Sequence, residues 1–129
     1  MSSSKETILI VEDEAPIRTL LLRLLESAGY EALAVSSADA ALEEISQRSF
    51  ALILLDLHMP GQVDGEEFLY QIRDGGDEVP IIVVSGWVDD DSEANHPDSV
   101  YAVLKKPIKN ELLIATVREA LAADPLQEL

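Results

Sequence analysis

Five polar residues that could handle a phosphate group each follow an apolar, β-favouring run of the sequence. They are Glu12, Asp13, Asp56, Ser85 and Lys106, which together supply three carboxylates, a hydroxyl and an ammonium group. Open α/β sheets bind their ligands at the edge where the carboxyl ends of parallel strands meet. The sequence therefore predicts one site that gathers these groups. Carboxylates suit a hard cation, and the other two groups suit phosphoryl oxygens.

The elements that would position these residues alternate between strand and helix patterns. Apolar runs typical of strands buried on both faces occupy residues 7–11, 31–35, 51–55, 79–84 and 100–104. Apolar residues recur at helical spacing between most of these runs and after the last one. Right-handed crossovers between parallel strands then predict an α/β fold: a doubly wound, five-stranded parallel sheet with helices on both faces.

Polar residues before the helical patterns predict where the helices begin. Asp13 is predicted to cap the first helix, whose apolar stripe includes Leu20. Ser36 or Ser37 is predicted to begin the second helix, and Asp64 is a candidate cap for the third.

The segment between Ser85 and Val100 departs from the alternating pattern. The acidic residues 89–93 favour the start of a helix, but Asn95 and Pro97 stop it within about two turns. The fourth helix is therefore predicted to be short or mobile.

Composition narrows the class of protein. The chain has 129 residues, enough for one domain with a buried core, and it has no cysteine, which excludes a disulfide scaffold and a thiolate metal site. Acidic residues outnumber basic ones 25 to 9, and the net charge of −16 disfavours direct nucleic-acid binding. No apolar run approaches the ~20 residues that span a bilayer, and the first residues lack the pattern of a signal peptide. We expect a cytoplasmic protein without membrane contact.

Four motifs, each at a predicted strand end, resemble the receiver domain of two-component response regulators over nearly the whole chain. They are Ile-Leu-Ile-Val-Glu-Asp-Glu (8–14), Leu-Leu-Asp-Leu-His-Met-Pro-Gly (54–61), Val-Val-Ser-Gly (83–86) and Leu-Lys-Lys-Pro (104–107). The resemblance implies a flavodoxin-like sheet with the strand order 2-1-3-4-5. It also implies a single receiver domain over residues 1–129, with a core of about 6–123 and frayed ends.

The resemblance gives each acidic residue a role. Asp56 is implied to be the phosphoacceptor, since a carboxylate can attack phosphorus and form an acyl phosphate. Asp13 and Asp56 are implied to bind Mg²⁺ directly, together with the backbone carbonyl of His58, and Glu12 to act through a bound water. A cation is needed because the carboxylate and the phosphoryl oxygens otherwise repel one another.

The resemblance also identifies the groups that would contact the phosphoryl oxygens. Ser85 is implied to donate a hydrogen bond to one oxygen, and Lys106 to pair with another. Lys105 is the rival, but successive strand residues point to opposite sides, and the family's lysine directly precedes the proline, which selects Lys106. A cis bond between Lys106 and Pro107 is a further inference from the resemblance.

The chain departs from the family pattern in two places. Val103 stands where the family usually has an aromatic residue that turns inward when phosphate binds, and Tyr101 lies two residues earlier on the same strand face. Either Tyr101 substitutes imperfectly or this read-out is absent.

The loop at residues 60–65 is one residue longer than the common version. His58 and Trp87 flank the expected phosphorylation site, where they could gate the hydrolytic water.

The resemblance implies a signalling phosphoacceptor rather than an enzyme. A sensor histidine kinase or a phosphotransfer protein would supply the phosphoryl group, and an unidentified downstream protein would receive the signal. The chain is expected to be a stand-alone regulator, a shuttle, or a receiver cut from a longer protein. Two alternatives stay open. One is a pseudo-receiver, an interaction module that is never phosphorylated. The other, less well supported, is a flavodoxin-like protein binding flavin mononucleotide, whose phosphate residues 12–14 would repel.

Overall fold

The computed structural model describes residues 7–56, 65–76, 78–85, 100–105 and 109–122, and strands and helices alternate through them. In chain order the elements are β1 (Thr7–Val11), α1 (Ala15–Ser27), β2 (Glu31–Val35), α2 (Ala38–Gln47), β3 (Leu52–Leu55), α3 (Gly65–Asp74), β4 (Ile81–Ser85), β5 (Ala102–Lys105) and α4 (Asn110–Ala122). None of the helices described is long and apolar enough to cross a membrane.

The five strands form one parallel sheet in the order β2-β1-β3-β4-β5, which confirms the predicted α/β class and strand order. After β2 the chain crosses back past β1 to form β3, so the direction of strand addition reverses between β1 and β3. The carboxyl ends of those two strands consequently border the crevice where doubly wound sheets bind their ligands.

The inner strands β1 and β3 are buried on both faces, and their alternate side chains enter two separate cores. Leu9, Val11, Ile53 and Leu55 pack with residues of α2 and α3. Ile8, Ile10, Leu52 and Leu54 pack with residues of α1 and α4. Helices therefore cover both faces, as predicted. Each fully buried Leu, Ile or Phe side chain contributes about 1.5–3 kcal/mol through burial alone, so the sheet is a firm base for residues at its edge.

The ends of the first two helices test the capping predictions. Asp13 as the cap of α1 is wrong: Glu14 is the N-cap residue, and its side chain makes no capping hydrogen bond. Pro16 lies in the first turn, where a missing N–H costs nothing. Ser37 does cap α2, because its hydroxyl accepts a hydrogen bond from Ala40 N–H at 3.1 Å. Gly29 ends α1 with a positive φ of 96°, a conformation that favours glycine.

The predicted bounds of three strands and one burial prediction were wrong. β3 begins at Leu52 rather than residue 51, β4 occupies 81–85 rather than 79–84, and β5 occupies 102–105 rather than 100–104. Pro80 has no N–H to donate to a ladder, and the pairing of β4 with β5 starts at Ile82 and Ala102. On α1, Leu20 belongs to the predicted apolar stripe, yet half of its surface is exposed.

Several predictions concern residues outside the part of the chain that the structure describes. These are the short or mobile fourth helix within 86–99, the cap at Asp64, the longer loop, and the frayed ends.

Candidate functional site

The candidate site begins where β1 and β3 end. Sheet hydrogen bonding continues one residue beyond each strand: Glu12 N–H donates to Val35 O at 3.1 Å, and Asp56 N–H donates to Val11 O at 3.0 Å. Both residues are therefore fixed by the sheet backbone. Their side chains are almost fully enclosed, with 1% of Glu12 and 4% of Asp56 exposed. Two acidic side chains are thus buried side by side at the sheet edge.

Three carboxylates converge at this edge. One oxygen from each of Glu12, Asp13 and Asp56 lies within 4.8 Å of the other two. Asp13 is only half-buried, so the cluster is open to solvent on its side. Buried anions at such spacing repel one another, and a cation bound between them would offset this repulsion.

The donor atoms of this cluster suit Mg²⁺. Carboxylate oxygens are the hard ligands that Mg²⁺ prefers, and it usually keeps several waters besides one or two carboxylates. Two ligands on opposite sides of one Mg²⁺ ion lie about 4.2 Å apart, close to the 4.8 Å limit of the cluster. The three carboxylates are therefore close enough to act on one Mg²⁺ ion.

The turn between β1 and α1 carries further hydrogen bonds at the acidic cluster. Glu14 N–H donates to Glu12 Oε2 at 3.2 Å. Arg18 Nη1 donates to the backbone carbonyls of Glu12, at 2.9 Å, and Asp13, at 3.3 Å. Sequence analysis missed Arg18. Its only signal is its place early in the helix that follows the acidic pair, and a solvated surface arginine has the same appearance.

The other predicted site residues are described only in part. The backbone of Ser85 ends β4 and pairs in register with Lys105 at the end of β5. β3 pairs with β4 through Leu55 and Val83, so the carboxyl end of β4 lies beside that of β3. The side chain of Ser85 lies outside the described part of the structure, as do residues 57–64 with His58, residues 86–90 with Trp87, and residues 106–108 with Lys106.

The two residues that depart from the family pattern lie at and just before β5. Val103 is half-buried and packs against the core shared by α2 and α3, as suits a valine on the core-facing side of an edge strand. Tyr101 immediately precedes β5. Its N–H donates to Ile81 O at 2.7 Å, while 43% of the residue's surface is exposed. Tyr101 therefore lies at the amino-terminal end of β5, opposite the sheet edge where the carboxylates meet.

Comparison with known proteins gives one consistent family. A family model described as the response regulator receiver domain matches residues 8–118. The chain is 36% identical over 129 residues to the hydrogenase transcriptional regulatory protein HoxA of Cupriavidus necator, covering 98% of this chain and 26% of that protein. It is 36% identical over 116 residues to the nitrogen assimilation regulatory protein NtrX of Azorhizobium caulinodans, covering 88% and 26%. The chain thus spans about a quarter of these curated relatives.

Solved structures agree with this result. The structure of a CheY-like response regulator receiver domain protein from Methanospirillum hungatei superposes with a TM-score of 0.85 at 27% identity, covering 92% of this chain and 94% of that one.

Proposed function

The chain belongs to the response regulator receiver domain family, and we propose that it takes a phosphoryl group onto Asp56 in an Mg²⁺-dependent reaction. The observation that carries this proposal is the convergence of Glu12, Asp13 and Asp56 within 4.8 Å at the carboxyl ends of β1 and β3. Receiver domains are signalling phosphoacceptors rather than enzymes in the usual sense. We propose that residues 1–129 form one such domain.

In the proposed reaction a carboxylate oxygen of Asp56 forms a bond to phosphorus. The bond from phosphorus to the donor atom breaks, and the electron pair leaves with the donor, which is the imidazole of a phosphohistidine in a kinase or phosphotransfer protein. When bound, Mg²⁺ supplies positive charge against which the anionic carboxylate and phosphoryl oxygens can approach. Asp13 and Asp56 would hold it directly with the carbonyl of His58, and Glu12 would hold it through water.

The sheet supports this role for Asp56 by fixing its backbone. Because Asp56 N–H is bonded to Val11 O and the side chain is enclosed, little freedom is left to lose when the carboxylate attacks. We further propose that the hydroxyl of Ser85 and the ammonium group of Lys106 bind phosphoryl oxygens. The end of β4 beside β3 supports the placement of Ser85, and the position before Pro107 supports Lys106.

We propose that phosphorylation alters the balance between two arrangements near β4 and β5, and that a protein partner reads the change. The receiver family works with histidine kinases or phosphotransfer proteins and with downstream effectors.

Intact mass spectrometry tests the proposal. The protein is incubated with acetyl phosphate, with MgCl₂ or with EDTA. We expect the mass of one phosphoryl group to be added only with Mg²⁺. Asp56→Asn should abolish the addition, whereas Asp74→Asn, at an exposed position at the end of α3, should leave it unchanged.

Two results would contradict the proposal. A wild-type protein that gains no mass with Mg²⁺ and donor would favour the pseudo-receiver alternative. An Asp56→Asn protein that still gains the phosphoryl group would place the acceptor elsewhere. A yellow purified protein would reopen the flavin alternative.

A further inference from the structure

Arg18 connects the start of α1 to the acidic turn. Its own N–H donates to Glu14 O at 2.9 Å, which fixes its backbone in the first turn of the helix. From there its guanidinium reaches back to the carbonyls of Glu12 and Asp13, at 2.9 and 3.3 Å. Both bonds come from Nη1 and are partly shielded from water. Hydrogen bonds from a charged donor are stronger than those between neutral groups, so the turn is held firmly.

The peptide unit between Asp13 and Glu14 is held on both sides. Its carbonyl oxygen accepts from Arg18. Its N–H, which points the opposite way in a trans peptide, donates to Glu12 Oε2 at 3.2 Å. A continuous path therefore runs from the guanidinium, through one peptide unit, to a carboxylate of the acidic cluster. Rotation of that peptide would weaken both bonds at once.

We propose that Arg18 is a positioning residue for the cation site. It fixes the backbone of residues 12–14 so that the carboxylates of Glu12 and Asp13 are held near Asp56 before the cation arrives. Arg18 itself touches neither the cation nor the phosphoryl group. Because Mg²⁺ binding is part of the proposed function, this role of Arg18 depends on it.

If Arg18 acted on Mg²⁺ only through its positive charge, its removal would change the Mg²⁺ affinity in the opposite direction. A positive group near a cation site repels the cation, so removing it should tighten Mg²⁺ binding. Removing a positioning group should instead weaken Mg²⁺ binding, because part of the binding free energy is then used to order the turn. Loss of groups that orient metal ligands typically costs about 10- to 100-fold in metal affinity. The direction of the change therefore separates the two roles.

The test is calorimetric titration of the full chain with MgCl₂ alone, without a phosphodonor. We expect Arg18→Met, which keeps an apolar stem but no donor, to bind Mg²⁺ about tenfold more weakly or worse. Arg18→Lys should recover most of the affinity, since an ammonium group can donate to the same two carbonyls. Arg23→Met is the matched control. It removes the same charge from an exposed position on α1, and it should leave the affinity unchanged or slightly tighter.

Amide hydrogen exchange in EDTA provides a second measurement that does not involve Mg²⁺. In Arg18→Met the amide of Glu14 should exchange several-fold faster than in wild type, while amides in β1 should not change. Unfolding curves in EDTA check that each variant is folded. If Arg18→Met does not fold, Arg18→Gln replaces it, because its shorter neutral side chain also loses the contacts.

Three outcomes would overturn the role of Arg18. Unchanged or tighter Mg²⁺ binding by Arg18→Met would show that it does not position the site. If Arg18→Lys binds Mg²⁺ no more tightly than Arg18→Met, the hydrogen bonds donated by this side chain do not contribute to the affinity. If wild type itself binds no Mg²⁺, the proposed function fails together with this inference. If wild type binds Mg²⁺ and is phosphorylated, failure of the variants concerns Arg18 alone.

Discussion

Replacing Asp56 by Asn should stabilise the protein in the absence of divalent cations. Asp56 and Glu12 are both buried, and their carboxylates lie within 4.8 Å. Two like charges at that separation repel by about 3.5 kcal/mol at an effective dielectric constant of 20, and by about 0.9 kcal/mol at that of water. Asn keeps the shape and loses the charge. We therefore expect the free energy of unfolding in EDTA to rise by about 1–3 kcal/mol.

Adding Mg²⁺ should make wild type more stable than Asp56→Asn, or reduce the difference between their free energies of unfolding to nearly zero. A ligand that binds only the folded state stabilises it by about 2.7 kcal/mol at a hundred times its dissociation constant. Wild type should gain this stabilisation, whereas Asp56→Asn, having lost a direct ligand, should gain little. The difference between the proteins should therefore shrink as MgCl₂ is added, which no effect on packing alone predicts.

Urea unfolding followed by circular dichroism, in EDTA and in MgCl₂, measures both effects. Glu43→Gln is the matched control, because it removes one negative charge from an exposed position on α2, away from the cluster. It corrects for the relief of general repulsion in a chain of net charge −16. If Asp56→Asn is no more stable than Glu43→Gln in EDTA, or if Mg²⁺ stabilises both proteins equally, the carboxylates do not form a repelling, cation-binding cluster.

Three stability predictions follow from the fold, each measured by urea unfolding in EDTA. Ser37→Ala should cost about 1 kcal/mol by removing the cap bond to α2, whereas an equal loss from exposed Ser36→Ala would refute the capping role. Phe68→Ala should cost about 3–5 kcal/mol because the ring is fully buried; half-exposed Leu20→Ala should cost much less, and similar losses would contradict the assigned burial. Gly29→Ala should cost about 1 kcal/mol through backbone strain alone, since its Cβ would meet nothing; an unchanged midpoint would argue against the positive φ.

The sequence pattern correctly predicted those elements that are specified by the residues of a single segment of the chain. β1 and β2 have the predicted bounds, because the apolar run of each strand ends abruptly at a polar residue, Glu12 and Ser36. Ser37 was one of two candidate caps, and only the structure selected it. Asp13 also resembled a cap, but the polar residue nearest a helix start is not always its cap, and the helix begins one residue later than a cap at Asp13 requires.

The limits of β4 and β5 depended on pairing between strands and could not be taken from composition. Val79 and Val100 are apolar like the strand residues beside them, but the ladder between these strands begins at Ile82 and Ala102. Leu20 was misjudged for a related reason. Spacing along a helix defines a stripe, and only the packing of that helix on the sheet decides which side of the stripe solvent reaches.

The sequence by itself determined the fold class, the strand order through family resemblance, and the chemical groups available at the sheet edge. The sequence also predicted that Glu12, Asp13 and Asp56 gather at this edge, but only the tertiary structure gives their separation, which is set by the register of β1 with β3. The contacts of Arg18 with the acidic turn are likewise a product of folding. Local patterns report which face of an element is apolar, whereas distances between elements are set by how the whole chain packs.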